Sequence, residues 1–164
     1  MDKLNFEFTA NQSDNTVVVN RAFKGSVLQL WRAWTEAEYL DCWWAPHPFV
    51  NKTKNLDLKE GGNWFYSMSG PEGQEFWGKA VFKKIVDQHE IQWEDAFCDE
   101  TGTPVEGFAK SLWTIRFSQK EDVAYLAITI AHEKWEDVEA NINMGFKEGF
   151  CTALDNLEKL ILTI

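Results

Sequence analysis

The expected fold is decided by the C-terminal stretch DVEANINMGFKEGFCTALDNLEKLI, residues 137–161. Apolar side chains recur there every three to four residues, and charged side chains fill most of the positions between them. This spacing predicts one long amphipathic helix with a wide apolar stripe that must be buried against another element. The residues of the stripe are Ile142, Phe146, Phe150, Ala153, Leu154, Leu157, Leu160 and Ile161.

The chain before this helix consists mainly of segments in which polar and apolar residues alternate, which is the period of a β-strand. Short turn-forming stretches separate these segments, so successive strands are expected to pair as an antiparallel meander. Strands followed by a helix predict an α+β domain, in which a curved sheet of about six or seven strands wraps around the helix. The predicted strands cover residues 16–23, 53–59, 63–69, 76–86, 91–97, 111–118 and 123–131.

Two short helices are predicted directly after the first of these strands. Ser26 and Gln29 have the spacing of a capping box, and so do Thr35 and Glu38 nine residues later. The second helix is expected to stop near Pro46. We expect their tryptophans to pack across the open end of the sheet, although a gate over an internal cavity is an alternative. These tryptophans are Trp31, Trp34, Trp43 and Trp44.

Length, charge and cysteine content restrict the function. The 164 residues fit a single domain over residues 1–164. A net charge of −10 disfavours nucleic acids and anionic membrane surfaces as partners. No apolar run approaches the roughly 18 residues of a membrane-spanning helix, and residues 1–8 lack the apolar core of a secretory signal. The three cysteines form no CxxC pair, so we expect no disulfide framework, no zinc site and a cytoplasmic location.

Several segments resemble a known superfamily over nearly the whole chain, from about residue 16 to residue 162. The chain is similar to the START/Bet v 1-like (SRPBCC) superfamily, and within it to the branch named after the activator of the Hsp-90 ATPase, C-terminal-domain type. The most specific segment is the tryptophan-rich stretch WRAWTEAEYL with the WWAP that follows it. The segments that carry the resemblance are residues 20–23, 31–40, 43–46, 60–64, 144–150 and 154–160.

The resemblance implies a helix-grip fold, in which a curved antiparallel sheet surrounds a long C-terminal helix. Members commonly hold an apolar cavity between the sheet and the helix, and this cavity takes small hydrophobic molecules. Some members are cyclases or hydrolases. The eukaryotic namesake activates a chaperone ATPase but carries an additional N-terminal domain, so a chaperone partner is the least favoured of the functions implied.

Aromatic side chains make up 15% of the chain, and nine of them are tryptophans. Two interpretations remain open on residue types alone: a filled aromatic core, or a cavity lined by rings that binds an apolar small molecule. The resemblance favours the cavity. The candidate ligand-binding residues are Trp64, Tyr66, Phe82, Trp113, Phe146 and Phe150.

One polar residue is a candidate anchor for a ligand. Gln92 and Glu94 alternate with Ile91 and Trp93, and only one of the two pairs can face the interior. If the polar pair faces inward, Glu94 is a polar anchor or a general acid or base. If the apolar pair faces inward, Glu94 is solvated, and this second arrangement is the one we favour.

The remaining chemistry of the sequence is sparse. His47, His89 and His132 have no partner at metal-ligand spacing, and we expect them in loops or at the surface. No catalytic motif and no cofactor fingerprint occurs, so we expect no catalytic residue, no metal and no cofactor. The sequence therefore favours a small-molecule carrier or sensor over an enzyme. A cyclase- or hydrolase-type cavity enzyme and a chaperone-modulating protein are the alternatives.

Overall fold

The computed structural model describes residues 6–107 and 109–164. Within this range the chain forms eight strands and four helices. The strands are β1 (Glu7–Asn11), β2 (Thr16–Lys24), β3 (Val50–Leu56), β4 (Asn63–Ser69), β5 (Glu75–Val86), β6 (Glu90–Cys98), β7 (Ser111–Lys120) and β8 (Val123–His132). The helices are α1 (Val27–Thr35), α2 (Ala37–Trp43), α3 (Trp135–Asn143) and α4 (Phe146–Ile161).

The strands form one antiparallel sheet in the order β1-β2-β8-β7-β6-β5-β4-β3. From β3 to β8 each strand pairs with its successor, which confirms the predicted meander. β2 pairs with β8, so the two short helices lie on the connection between distant strands of the sheet. The observed architecture is the predicted α+β helix-grip fold with a C-terminal helix.

The inner face of the sheet is set by the alternation of residues along each strand. In β7, Trp113, Ile115 and Phe117 are buried, whereas the alternate residues Leu112 and Arg116 are exposed. Full burial of each large apolar side chain stabilises the fold by about 1.5–3 kcal/mol. The inward rows therefore hold the helices against one face of the sheet.

The strand count exceeds the prediction of six or seven because of β1. Its sequence EFTAN has only a weak apolar pattern, but its backbone pairs with β2 from Glu7 opposite Asn20 to Asn11 opposite Thr16. β3 also begins three residues earlier than predicted and ends at Leu56. The next residue, Asp57, already belongs to the turn into β4, since its N–H donates to the carbonyl of Asn63.

The single helix predicted over residues 137–161 is interrupted. α3 ends at Asn143 and α4 starts at Phe146, and Gly145 between them has φ of 92°. This left-handed conformation is one that glycine adopts without a steric penalty, and it breaks the helical path. Among the described residues, no helix combines the length and apolar character needed to cross a membrane.

The first capping box is confirmed and the second is wrong. Ser26 accepts a hydrogen bond from the backbone of Gln29, whose side chain accepts one from the backbone of Ser26. Thr35, by contrast, is the last residue of α1, and its hydroxyl donates to the carbonyl of Trp31. Glu36 then precedes α2 without a side-chain cap.

Tryptophans of the two short helices belong to the hydrophobic core. Trp34 and Trp43 are at most 1% exposed, and their rings lie 4.9 Å apart in an edge-to-face arrangement. The indole N–H of Trp43 donates to the carbonyl of Ala33, so this buried polar group is satisfied. α4 packs on the same core through Ala153, Leu154, Leu157 and Ile161.

Candidate functional site

A cavity of about 450 Å³ lies between the inner face of the sheet and the C-terminal helices. Strands β4 to β8 form one side of it, and the end of α2, the α3–α4 junction and the first turns of α4 form the other. Phe76 and Met144 are 49% and 62% exposed, so they mark its solvent-facing rim. The cavity is wide enough for a small organic molecule, since ligand pockets occupy roughly 300–1,000 Å³.

Aromatic rings make up much of the wall. The ring of Trp113 is perpendicular to the ring of Phe150, with centroids 5.5 Å apart, and Phe146 stacks on Phe150 at 5.4 Å. Trp44 completes this group at 5.7 Å from Trp113 and 6.2 Å from Tyr66. The rings hold one another in place, so the wall is preformed by contacts between β7, α4 and the end of α2.

The six predicted aromatic residues divide into two groups. Tyr66, Trp113, Phe146 and Phe150 lie on the cavity wall, and the two others lie behind it in the packed core. Trp64 is covered because its ring stacks on Tyr66 at 4.1 Å and meets Trp44 at 5.0 Å.

Phe82 lies on the inner face of β5, four residues beyond the wall residue Gly78. It is 2% exposed and packs against Trp93, its partner on β6. Trp64 and Phe82 are therefore not part of the wall of this cavity, where the sequence argument placed them.

Glu94 lies on the outer face of the sheet. Ile91 and Trp93 are buried, which turns the residues between them outward, and the Glu94 side chain is 38% exposed. Its carboxylate lies 3.5 Å from the ammonium of Lys110. The inward alternative considered for Glu94, as a ligand anchor or a general acid or base, is overturned by this register.

The acidic residue on the cavity wall is Asp95, which the sequence argument missed. It follows Trp93 by two positions on β6 and therefore points to the same inner face. The signal was available in the sequence, because any register that buries Ile91 and Trp93 also turns Asp95 inward. Asp95 was missed because it is a single charged residue in an otherwise apolar inward-facing row.

Burial shapes the acid–base properties of this wall. Removal from water raises the pKa of Asp95 to about 7, although a hydrogen bond from the backbone of Ala96 acts in the opposite direction. The pKa of Tyr66 is raised well above its ordinary value, first by burial and then by the nearby charge of Asp95. The two groups together give the cavity a carboxyl and a phenol that hold their protons more firmly than in water.

Two further polar side chains continue from Asp95 across the sheet. Asp95 pairs with Ser111 on β7, and Ser111 pairs with His132 on β8, so the three form one cross-strand row on the cavity wall. The hydroxyl of Ser111 accepts a hydrogen bond of 3.2 Å from the indole N–H of Trp113. The row gives one side of the cavity a carboxyl, a hydroxyl and an imidazole.

His132 is buried at 9% exposure, so the expectation of a loop or surface position is wrong for this histidine. It ends β8 and lies on the cavity wall, to which α3 also contributes. Burial lowers its pKa, and the charge of Asp137 offsets this only in part. Its Nδ1 has no hydrogen-bond partner among the described residues. No group of three or more His, Cys, Asp or Glu in that part of the chain could hold a metal ion.

A curved antiparallel sheet closed by a C-terminal helix defines a helix-grip protein of the START/Bet v 1-like superfamily. The chain belongs to the family described as Activator of Hsp90 ATPase homolog 1-like protein, whose sequence model matches residues 24–161. The family resemblance of the sequence is therefore confirmed. A comparison with curated proteins found no match.

Solved structures of several bacterial proteins are similar over almost their whole length. A protein from Arthrobacter aurescens has a TM-score of 0.90 at 22% identity, with 96% of this chain and 92% of that chain covered. A protein from Mycobacterium smegmatis has a TM-score of 0.88 at 20% identity, with 95% and 96% covered. An AHSA1 protein from Silicibacter pomeroyi gives 0.72 at 20%, with 91% and 99% covered. At these identities the similarity establishes the fold.

Proposed function

We propose that this protein binds a small, predominantly apolar molecule in the cavity between the sheet and the C-terminal helices. The observation that carries the proposal is the cavity itself, about 450 Å³ in volume and walled by Trp44, Tyr66, Trp113, Phe146 and Phe150. Concave, mostly apolar walls with a few placed polar groups are typical of ligand sites. The row of Asp95, Ser111 and His132 would supply those polar groups.

The break between α3 and α4 supports the proposal. Met144 and Gly145 lie at this break and also line the cavity, so the interruption occurs where a continuous helix would otherwise run past the opening. With Gly145 in a left-handed conformation, α4 starts afresh and directs Phe146 and Phe150 to the wall. The backbone conformation of Gly145 thus determines where α4 begins and so places two of its rings on the cavity wall.

Binding without catalysis is the form of the function that we favour. The cavity-enzyme alternative rested on Glu94, and that carboxylate lies outside the cavity beside Lys110. A chaperone-modulating role would need an exposed docking surface, whereas the cavity lies between the sheet and the helices. Because the cysteines are odd in number and widely spaced, a reducing compartment such as the cytoplasm fits this carrier or sensor.

The test is native mass spectrometry of the purified protein with a panel of apolar small molecules. Gly149→Met places a flexible side chain on the cavity wall, because a Cβ at Gly149 fits at 3.6 Å from Pro46, another wall residue. Thr152→Met adds the same side chain on the exposed face of α4. We expect a one-to-one complex for the wild type and Thr152→Met, and a loss of that complex for Gly149→Met.

Equal binding by Gly149→Met and Thr152→Met would show that the ligand binds outside this cavity. No complex with any member of a broad panel would overturn the proposed function. A thermal melt of each variant confirms that loss of binding is not loss of folding, since methionine is a good helix former and glycine a poor one.

A further inference from the structure

The cavity holds a single acidic side chain, and the described residues that line it include no lysine or arginine. That side chain is Asp95. No ion pair joins it to another described residue, and the one polar contact that lowers its pKa comes from the backbone of Ala96. The cavity therefore offers one negative charge that the described part of the chain leaves uncompensated. A half-buried carboxylate of this kind is stabilised by an opposite charge.

The rings around Asp95 suit a cation. A cation within about 6 Å of an aromatic ring centre is attracted by the negative face of the ring, and the attraction strengthens where water is excluded. Trp44, Tyr66, Trp113, Phe146 and Phe150 all line the same space as Asp95. Asp95 pairs with Ser111, two residues before Trp113 on the neighbouring strand, so the carboxylate lies beside this aromatic wall.

The net charge of the whole chain also favours a cationic ligand. With a net charge of −10, the protein attracts organic cations and repels organic anions before they reach the cavity. A carboxylate ligand would in addition face Asp95 without a lysine or arginine from the described lining to pair with it. Both effects favour an ammonium group over an acidic group on the ligand.

We propose that the cavity takes a lipophilic amine, whose ammonium group pairs with the Asp95 carboxylate while its apolar part lies against the aromatic wall. This inference rests on the proposed function, since it names the chemical class of the ligand for the same cavity. Ser111, the neighbour of Asp95 in the cross-strand row, is the nearest side-chain oxygen on β7 to accept a second hydrogen bond from the ammonium.

The protonation of Asp95 makes the binding pH-dependent. The titratable groups near it are Tyr66 on β4, Cys98 on its own strand and His132 two strands away on β8. On β5, Ala80 lies opposite Asp95 and Gly78 lies two residues before Ala80, and α3 contributes the neutral Asn141. Ammonium binding requires the ionised carboxyl, so affinity for an amine rises as the pH rises through about 7, the pKa of Asp95.

The experiment compares phenylbutylamine, phenylbutanol and phenylbutyrate, which share an apolar phenylalkyl part and differ in charge. Isothermal titration calorimetry at pH 8 is done on the wild type, on Asp95→Asn and on Glu94→Gln. The alkylamine is protonated at that pH, as is a lysine side chain. Glu94→Gln is the matched control, because it removes the same charge from the adjacent residue on the outer face.

For the wild type we expect the amine to bind about tenfold more tightly than the alcohol, and the acid to bind most weakly. Asp95→Asn should abolish the preference for the amine and leave the affinity for the alcohol similar. Glu94→Gln should retain the preference. In the wild type the preference should also shrink between pH 8 and pH 5.5, as Asp95 takes up a proton.

Each contrary outcome has a distinct meaning. Equal affinity of the wild type for amine and alcohol, or a preference that survives in Asp95→Asn, overturns the amine proposal while binding of the alcohol upholds the proposed function. If none of the three compounds binds, the amine proposal fails, and the broad panel of apolar molecules in the native mass spectrometry experiment decides the proposed function. If Asp95→Asn does not fold, the wild-type pH series decides, since a preference that is unchanged at pH 5.5 excludes a role for Asp95.

Discussion

Tyr66 occupies the space that a side chain at Gly78 would need. The two residues are direct partners on β4 and β5, and a Cβ built at Gly78 would lie 2.6 Å from both Cζ and Oη of the tyrosine. Trp64 stacks on the same ring from one side, at 4.1 Å. Glycine at this position thus lets a cavity-wall phenol lie close to the backbone of the neighbouring strand.

Gly78→Ala should therefore both destabilise the protein and reduce ligand binding. Since Trp64 blocks one side of the tyrosine ring, the added methyl group is expected to push the ring toward the cavity. Overpacking of this kind costs typically about 1–3 kcal/mol. Urea unfolding measures the loss, and native mass spectrometry measures the change in ligand uptake.

Gly149→Ala is the matched control for this substitution. A Cβ at Gly149 meets only Pro46, at an ordinary contact distance of 3.6 Å. In a helix the exchange of glycine for alanine stabilises by up to about 1 kcal/mol. Two glycines of the same cavity wall are thus expected to respond in opposite directions, and equal responses would contradict the close approach of Tyr66 to Gly78.

Asp95 should make the stability of the protein fall as the pH rises. Its pKa is about 7 in the folded chain and 3.8 as the ordinary value, so between these values the native state holds a proton that the unfolded state has released. Stability is therefore greatest below pH 4 with respect to this group and is lost as pH rises to 7, by at most about 4 kcal/mol. Asp95→Asn should remove this loss.

The measurement is urea unfolding of the wild type and Asp95→Asn at pH 5 and pH 8. The advantage of the asparagine variant over the wild type should be larger at pH 8. His132 has a lowered pKa and acts in the opposite sense, weakening the fold as pH falls below its unfolded pKa of about 6.5. Because both proteins keep this histidine, comparison of the pair isolates Asp95. A pH-independent difference would count against its burial.

Arg21 should stabilise the contact between β2 and α4. Its side chain is buried, and its guanidinium lies 2.8 Å from Glu158 and 3.0 Å from Asp155 on the helix. Removing both carboxylates with Asp155→Asn and Glu158→Gln leaves a buried charge without its partners, at a cost of about 3–5 kcal/mol. Urea unfolding of the double variant tests this value.

The control for this prediction is Glu36→Gln, which removes the carboxylate that pairs with Arg32 at 2.8 Å. Both side chains of that pair are 38% exposed, so water replaces the lost contact and the cost should stay below about 1 kcal/mol. A similar small cost for the buried arginine would show that it holds its charge without help from α4.

How well the sequence predicts each element of this fold depends on how many residues its hydrophobic pattern spans. Alternation, or in β2 a run of β-branched and aromatic residues, identified the seven longer strands, whereas β1, with five residues, has too little apolar periodicity to be recognised. The meander and the terminal helix follow from the same patterns. The interruption at Gly145 does not, because a glycine within an amphipathic repeat is compatible with either a continuous or a broken helix.

The candidate site was predicted only in part, and here the limit was the lack of distances between elements, not the length of a pattern. Residue type identified Tyr66, Trp113, Phe146 and Phe150 as large rings on inward positions, but it identified Trp64 and Phe82 equally. What separates the two groups is which rings lie nearer the open space, and that depends on distances between elements. The orientation of Asp95 could have been predicted without distances, because the alternation that turns Glu94 outward turns the next residue inward.

Gly145→Ala should destabilise the protein through the backbone alone. Gly145 has φ of 92°, a conformation that side chains disfavour, yet nothing lies within 4 Å of a Cβ placed there. The cost is therefore conformational strain of about 1–2 kcal/mol, without any contribution from a steric clash. Gly145→Asn should cost less, since asparagine tolerates the left-handed region better than alanine.

The same substitutions test whether the break between α3 and α4 shapes the cavity. Relief of the strain in Gly145→Ala would favour a continuous helix, which would shift Met144 and Phe146 on either side of the junction. Ligand uptake measured by native mass spectrometry should then fall further in Gly145→Ala than in Gly145→Asn, in the order of their unfolding free energies. A stability loss in Gly145→Ala with unchanged uptake would separate the helix break from the binding site, and would leave the wall of β4 to β8 as the part that determines the cavity.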